Sequence, residues 1–201
     1  MAVRTYPSMQ EVFDTHRYQL KYAAVMSSGW FNEQARMLKG LGVTPARMLK
    51  DNDNLNWDNR IVPGRLYLYL YDAKHKATLP YWDRYPLVFP YAETEDRKGF
   101  YGLNMHYLPY EYRIKILDSL ISIDLSKRTD SKKLLLSWDL IKSSSKLSLL
   151  KPCVHMYLYN HQRSAMKQIY PKDWATAMLL PIAQWVGSNN TQVWKDSKSK
   201  F

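Results

Sequence analysis

At residues 65–71 the chain reads RLYLYLY, with leucine and tyrosine alternating in single steps. A period of two places successive side chains on opposite faces of a β-strand. Because both sets of side chains have large apolar bodies, the pattern predicts a strand that is covered on both faces. This stretch therefore sets the fold class, since it requires a sheet inside the protein rather than at its surface.

Two further strands are predicted downstream of a turn at residues 72–75. One spans Tyr85–Pro90, and the other spans Gly99–Leu108. The prolines at 80, 86 and 90 favour edge strands or strand starts, because proline cannot donate a ladder hydrogen bond. Short strands at close spacing predict a small antiparallel sheet or an SH3-like barrel over about residues 60–108.

Helical periodicity returns after Pro109. Apolar residues at three- and four-residue spacing predict a helix that buries Ile114, Leu117, Ile121 and Leu125 and exposes Arg113, Lys115, Asp118 and Ser122. The segments 137–147 and 154–169 are also predicted as helices, and 174–180 as a strand or a buried helix. At the N-terminus, Ser8 and Glu11 have capping-box spacing before one helix, and residues 30–41 predict another.

Together these elements predict an α+β fold in which helices at both ends flank the sheet or barrel. Residues 1–59 form an N-terminal helical arm that ends in an Asn/Asp-rich loop at 51–59. Residues 60–201 form a single α+β domain with a barrel-like core and a helical, basic C-terminal part. The expected core comprises Leu66, Leu68, Leu70, Leu87, Phe89, Ile114, Leu117 and Ile121.

Composition narrows the class of protein. The chain has 201 residues, of which 46% are hydrophobic, and a chain of this length is expected to form one globular domain at about 150 residues per domain. Seven glycines without a phosphate-loop motif argue against a nucleotide cofactor, and no cofactor is expected. The most apolar run, 174–186, is broken by Pro181, so no membrane span is expected. Residues 1–9 carry polar and charged side chains with no apolar run, so no leader is expected either.

The charge of +11 points to an acidic partner. It concentrates at the ends of the chain, and residues 151–201 carry seven basic and two acidic side chains. Lys142 with Lys146, and Arg163 with Lys167, are four residues apart, and each pair is predicted to share a helix face that can span phosphates. The predicted phosphate contacts are Lys127, Arg128, Lys132, Lys133, Lys142, Lys146, Lys151, Arg163, Lys167 and Lys172.

Residues that could support catalysis have simpler explanations. Asp58 followed by Asp72-x-Lys74 resembles a metal-dependent nuclease pattern, but Asp and Lys are ordinary turn residues. The carboxylates of Glu93, Glu95 and Asp96 are expected in a solvated loop, and Cys153, His155 and His161 lack a fourth zinc ligand. Cys153 is expected to be a buried small hydrophobe and His106 a core histidine. No catalytic residue and no metal site are predicted.

Aromatic residues are abundant, with 16 tyrosines and 7 tryptophans. Tyr67, Tyr69 and Tyr71 could stack on the bases of single-stranded nucleic acid. Packing in the core or at subunit interfaces explains them as well and is the favoured interpretation.

Several motifs resemble those of the DNA end-protector, or head-completion, proteins of T-even-type myoviruses and their cyanophage relatives. The resemblance covers residues 63 to the C-terminus. Its central motifs are Tyr71-Asp72-x-Lys74, Leu79-Pro80-Tyr81-Trp82-Asp83-x-Tyr85-Pro86-Leu87-Val88 and Gly99-Phe100-x-Gly102-Leu103-Asn104-x-His106-Tyr107-Leu108-Pro109. Later motifs are Lys151-Pro152-Cys153, Leu158-Tyr159-x-His161-x-Arg163-Ser164, Leu180-Pro181 and Val193-Trp194-x-Asp196-Ser197.

The resemblance implies a non-enzymatic virion protein that enters the nearly finished capsid and binds the ends of the packaged double-stranded DNA. It further implies a protein that travels with the DNA into the host cytoplasm and blocks a host exonuclease there. The implied partners are DNA termini and other virion proteins of the portal or neck, with no membrane. The alternative is a structural neck, connector or baseplate protein that makes subunit contacts without binding DNA ends.

Overall fold

The computed structural model describes residues 55–56, 60–63, 65–121, 150–170, 174–180 and 182–200. The predicted N-terminal helices and the predicted helix at 137–147 lie outside these residues. The division of the chain at residue 60 stays a prediction, although a short strand, β1 (Leu55–Asn56), falls within the stretch that was predicted as a loop.

Most described strands belong to one antiparallel sheet. Its order is β1-β7-β2-β4-β5-β6, and a separate two-stranded sheet pairs β3 with β8. The remaining bounds are β2 (Leu66–Leu68), β3 (Trp82–Asp83), β4 (Leu87–Glu93), β5 (Gly99–Asn104), β6 (Val154–Leu158), β7 (Met166–Ile169) and β8 (Trp185–Val186). The α+β class is thus confirmed. The SH3-like barrel is not, because the described strands form an open ladder with β1 and β6 at its edges.

The alternating stretch at 65–71 contains strand β2 at Leu66–Leu68, shorter than its pattern predicts, and Tyr71 adds an isolated antiparallel bridge to Gln162. Residues 66–69 are at most 1% exposed. Leu66 and Leu68 join one hydrophobic cluster with Phe89 and Trp174, whereas Tyr67 and Tyr69 join a second cluster with Phe100. The sheet therefore separates two hydrophobic layers, as the alternation requires.

Strand β4 corrects the prediction for Pro90. This strand lies between β2 and β5 in the sheet, and Pro90 is inside it rather than at an edge. The ladder shifts register between Pro90 and Ala92, where Pro90 pairs with Gly102 and Ala92 with Tyr101. A bulge at this point relieves the sheet of the hydrogen bond that proline cannot donate.

The helix predicted after Pro109 is present as α1 (Tyr110–Ile121). Leu117 is fully buried and Ile116 nearly so, while Ile114 and Leu70 are half-buried. The prediction that Arg113 faces solvent is wrong, since it is 1% exposed. The side chain of Ile121 lies outside the described set.

The prediction of a helix over residues 154–169 is wrong. This segment contains β6, a 3₁₀ turn at Tyr159–His161 and β7. β6 pairs with β5 over five residues, and a Cβ at Gly99 would overlap the carbonyl oxygen of Tyr157. Glycine at position 99 therefore permits the close approach that holds β6 in the sheet.

Two more helices complete the described fold. α2 (Trp174–Leu179) packs against α1, which resolves the strand-or-helix alternative for 174–180 in favour of a helix. α3 (Asn190–Lys198) begins after Asn189, whose side chain accepts a hydrogen bond from the backbone N–H of Gln192, as an N-cap residue does. In the part of the chain that the structure describes, no helix is both long enough and apolar enough to cross a membrane.

Candidate nucleic-acid interface

Three of the ten predicted phosphate contacts are described by the structure. Lys151 is exposed in a 3₁₀ turn, Arg163 is exposed just before β7, and Lys167 is 7% exposed within β7. The idea that Arg163 and Lys167 share a helix face is therefore wrong, because neither residue is helical. The other seven, Lys127, Arg128, Lys132, Lys133, Lys142, Lys146 and Lys172, lie outside the described residues, and phosphate contact by any of the ten stays a prediction.

The turn at residues 72–79 docks onto the segment 161–164. The backbone N–H of Asp72 donates to the carbonyl of His161 at 3.0 Å, and His161 Nδ1 lies 2.8 Å from the carbonyl oxygen of Asp72. The backbone N–H of Arg163 donates to Leu70 O at 2.8 Å, and Ser164 Oγ accepts from the N–H of Leu70 at 2.8 Å. These bonds bring together segments that are about ninety residues apart in the chain.

Four exposed cationic residues belong to the segments that meet at this junction, and we call them the basic corner: Lys74, Lys76, Arg84 and Arg163. Arg84 belongs to it because its carbonyl accepts the N–H of Tyr71 at 2.9 Å. One carboxylate, that of Asp72, lies among them, 3.0 Å from Lys76 Nζ and 3.4 Å from Arg163 Nη2. The hydrogen bond from Lys76, helped by Arg163, holds the pKa of Asp72 below its usual range.

The basic corner keeps an excess of positive charge. Of its four cations, Lys74 and Arg84 make no side-chain ion pair with any described residue. Exposed lysine and arginine side chains with free donors are the groups that bind DNA phosphates. The corner can therefore accept an anionic backbone without first breaking an internal ion pair at every position.

The described part of the nuclease pattern, Asp72 and Lys74, lies at the basic corner. Asp72 pairs with Lys76 and Arg163, Lys74 points to an exposed position, and Asp58 lies outside the described residues. Across the described ranges, no group of three or more His, Cys, Asp or Glu side chains could hold a metal ion. The arrangement fits an anion-binding surface, in which the cations outnumber the carboxylate.

A buried polar cluster lies beneath the surface, and we call it the buried hub: Asp83, Asn104, His106 and Arg113. Asp83 Oδ1 accepts the backbone N–H groups of Tyr85 and Gln184 at 3.0 and 3.3 Å. Its Oδ2 accepts Asn104 Nδ2 at 3.1 Å and lies 2.6 Å from His106 Nδ1. A buried carboxylate with four donors is fully satisfied, so Asp83 fixes structure rather than serving as a base.

His106 has the core position that the sequence predicts. It is fully buried, and burial lowers its pKa even though the Asp83 carboxylate opposes this shift. Because the carboxylate can only accept, the neutral ring carries its proton on Nδ1. Its Nε2 atom has no hydrogen-bond partner within the described part of the chain.

Arg113 completes the buried hub. Its guanidinium donates to the carbonyl oxygens of Leu108 and Met178 at 2.7 Å each and of His106 at 3.1 Å. It also lies 4.9 Å from the ring centroid of Tyr110 and 5.6 Å from that of Trp194. Burial lowers the pKa of Arg113 to about 10, so it stays charged at neutral pH.

The predicted soft-ligand group has structural roles. Cys153 is fully buried, and burial raises the pKa of its thiol, which confirms the small hydrophobe that was expected. His155 Nε2 lies 2.9 Å from the carbonyl oxygen of Pro152, and burial lowers its pKa to about 4. None of these groups is an exposed, activated nucleophile.

The tyrosines of the alternating stretch pack in the core. Tyr69 makes T-shaped contacts with Tyr71 and Tyr157, at centroid distances of 6.2 and 5.8 Å. Burial raises the pKa of Tyr69. The packing interpretation is thus confirmed, and these rings are not available for stacking on bases.

Sequence reasoning did not identify the basic corner. Of its residues, Arg163 was predicted as a phosphate contact, whereas Lys74 was noted in the nuclease pattern and in a motif of the family resemblance. Lys76 and Arg84 were not singled out. A signal was available, because two motifs of the family resemblance, Tyr71-Asp72-x-Lys74 and Leu158-Tyr159-x-His161-x-Arg163-Ser164, meet in this corner.

Comparison with known proteins identifies a family. The family model described as phage T4 terminal DNA protecting protein matches residues 46–197. No curated protein and no solved structure matches the chain significantly. The family match covers both motif segments of the basic corner and all four residues of the buried hub. Since it extends over about three quarters of the sequence, the chain belongs to the family of the phage T4 terminal DNA protecting protein.

Proposed function

We propose that this protein binds the ends of the packaged double-stranded phage DNA through its basic corner and shields them sterically from host exonuclease. The observation that carries the proposal is the convergence of two distant motif segments on one exposed cationic surface within a DNA-protecting family. The charge of +11 supports attraction to the duplex, since counterion release drives phosphate binding.

The proposed protection requires no bond cleavage by the protein itself. The polar side chains most capable of chemistry, in the buried hub, are enclosed and bonded to one another. As a virion component, the protein is proposed to take part in head completion, to contact portal or neck proteins, and to act in the host cytoplasm during assembly and after DNA ejection.

A second candidate is a structural neck, connector or baseplate protein. It is favoured by strand β6 at the edge of the sheet, where Val154 and Met156 are 43% and 50% exposed. An exposed apolar edge strand can pair with a neighbouring subunit. Binding to DNA ends distinguishes the two candidates.

The test compares linear and covalently closed DNA of equal length. An end protector should shield linear DNA from a processive exonuclease at protein concentrations near that of the ends. A coating protein would need enough copies to cover the whole duplex. Equal affinity for both DNAs, with protection only at saturating coverage, would favour the structural candidate.

Alanine variants test whether the basic corner is the surface that binds DNA. Removing Lys74, Arg84 and Arg163 together by alanine substitution should flatten the slope of log affinity against log salt by about 2.7 units, at about 0.9 per phosphate contact. The control replaces three exposed lysines elsewhere, Lys98, Lys195 and Lys198, and so removes the same charge. If both triple variants flatten the slope equally, the basic corner is not the contact surface.

A further inference from the structure

A groove of about 960 Å³ lies next to the basic corner. Its walls come from the turn at 73–81 and from β4, β5 and β6, and aromatic rings line much of it. Three of the six large hydrophobic side chains that are exposed in the described structure line this groove: Leu79 at 44%, Tyr101 at 39% and Met156 at 50%. Exposed apolar side chains that gather around one concavity mark a binding site.

Tyr101 is the ring best placed for stacking. It lies on β5 opposite Met156 of β6, and its inner neighbour Tyr91 stacks against it with ring centroids 6.2 Å apart. The support from Tyr91 fixes the orientation of Tyr101, while more than a third of its surface stays open. A flat aromatic ligand could therefore stack on Tyr101 with little loss of side-chain freedom.

Charges at the groove are segregated by structural element. The cation of Lys74 comes from the turn, and that of Lys200 follows α3. The carboxylates of Glu93, Glu95 and Asp96 come from β4 and the turn that follows it. The ligand that fits such a groove carries an anionic group, a flat ring and hydrogen-bond donors.

A nucleotide has all three features. Its phosphate can bind the lysines, its base can stack on tyrosine, and its exocyclic amino group can donate to a carboxylate. Glu93 accepts a hydrogen bond from the Tyr159 hydroxyl at 3.0 Å through one oxygen, and a carboxylate can accept several more. The volume of the groove is at the upper end of the range of about 300–1,000 Å³ for ligand pockets.

Position connects the groove to the duplex. Lys74 belongs to both the basic corner and the groove, and Tyr71 and Ala73 beside it also line the groove. A DNA end whose phosphates contact Lys74 would therefore lie beside the groove. We infer that the groove holds an unpaired terminal nucleotide of a DNA end, an inference that rests on the proposed function.

The experiment uses the full-length protein and a duplex that carries a single unpaired 2-aminopurine nucleotide at one 3′ end. The opposite end is closed by a hairpin loop, and a matched duplex has the same sequence with a blunt end. We expect the wild-type protein to bind the overhanging duplex more tightly than the blunt one and to quench the fluorescence of the 2-aminopurine base.

Tyr101→Ala should lower affinity for the overhanging duplex about tenfold, which corresponds to a stacking contribution of about 1.4 kcal/mol. It should leave the affinity for the blunt duplex unchanged. Tyr101→Phe keeps the ring and should restore binding. Tyr170→Ala is the matched control, because Tyr170 is exposed to 37% and does not line the groove. Lys200→Ala tests the groove without touching the sheet and should also weaken binding of the overhanging duplex selectively.

The inference is overturned if the wild-type protein binds the two duplexes equally, or if Tyr101→Ala weakens binding of both to the same degree. Exonuclease protection of linear DNA separates this failure from that of the proposed function. If protection persists while the overhang makes no difference, the groove inference alone fails. If no linear DNA is protected, the proposed function fails with it.

Discussion

Replacement of Arg113 by methionine should lower the stability of the protein by about 4 kcal/mol. Methionine has a similar length and no charge, so it fills the space without leaving a large cavity. The carbonyl oxygens of Leu108 and Met178 would lose the guanidinium donors at 2.7 Å. The carbonyl of His106 keeps a donor, the indole N–H of Trp194 at 2.9 Å.

Two buried acceptors would therefore be left without these partners, at about 1–3 kcal/mol each. The two acceptors together would lower the free energy of unfolding by about 2–6 kcal/mol. Removing the buried charge also removes its desolvation cost, so we expect a loss near the middle of that range, about 4 kcal/mol. For a protein of about 200 residues, 4 kcal/mol corresponds to a decrease in Tm of roughly 12 °C.

Thermal unfolding followed by circular dichroism measures this change. Arg84→Met is the matched control, because Arg84 is exposed and its backbone bonds do not depend on the side chain. We expect the control to shift stability by no more than about 0.5 kcal/mol. A decrease in Tm of less than about 3 °C for Arg113→Met would refute the view that the guanidinium holds α1 and α2 to the 3₁₀ turn at Met105–Tyr107.

Two further predictions concern pH and catalysis. Burial lowers the pKa of His155 from 6.5 to about 4, so between these pH values the unfolded chain binds a proton that the folded chain does not. The free energy of unfolding should therefore fall by up to about 1.4 kcal/mol per pH unit on acidification below 6.5. Tm measured against pH should decline less steeply for His155→Gln than for the wild type, and an unchanged decline would contradict this assignment. Linear duplex DNA incubated with the protein and magnesium or manganese should stay intact, because the Asp72 carboxylate is paired with Lys76 and Arg163. Cleavage that disappears in both Asp72→Asn and Lys74→Ala would overturn the non-enzymatic proposal.

Local periodicity in the sequence was sufficient to predict a strand within 65–71 and the helix α1. The alternating stretch at 65–71 and helix α1 follow the rule that apolar residues at the structural period are buried. Arg113 violates that rule, because α2 and the Trp194 ring of α3 cover the face of α1 that periodicity assigns to water. The spacing of apolar residues within a helix cannot show that two helices later in the chain pack against its other face.

The C-terminal strands show a second limit. In the segment 154–169, apolar and polar residues occur at spacings that fit both helix and strand, and local pattern alone does not decide between them. Residues 154–158 form a strand because all five of them pair with residues of β5. The basic corner depends on the same long-range contacts, because Asp72 and Arg163 are 91 residues apart in the chain.

The short bend at residues 83–85 connects the buried hub to the basic corner through backbone hydrogen bonds. Asp83 accepts the N–H groups of Tyr85 and Gln184 and thereby fixes residues 83–85 against the strand β8. Within this bend, the N–H of Arg84 donates to Gln184 O at 2.8 Å, and Arg84 O accepts from Tyr71, where the turn of the basic corner begins. The carboxylate inside the protein therefore orients the backbone of Arg84, a residue of the basic corner, and the turn that carries Lys74 and Lys76. A defect at Asp83 should weaken DNA binding as well as the fold, although Asp83 itself is 4% exposed and cannot contact a phosphate. The long motif around Asp83 is thus explained by the architecture that positions the proposed DNA-binding surface, and the exposed side chains of the basic corner supply its charge.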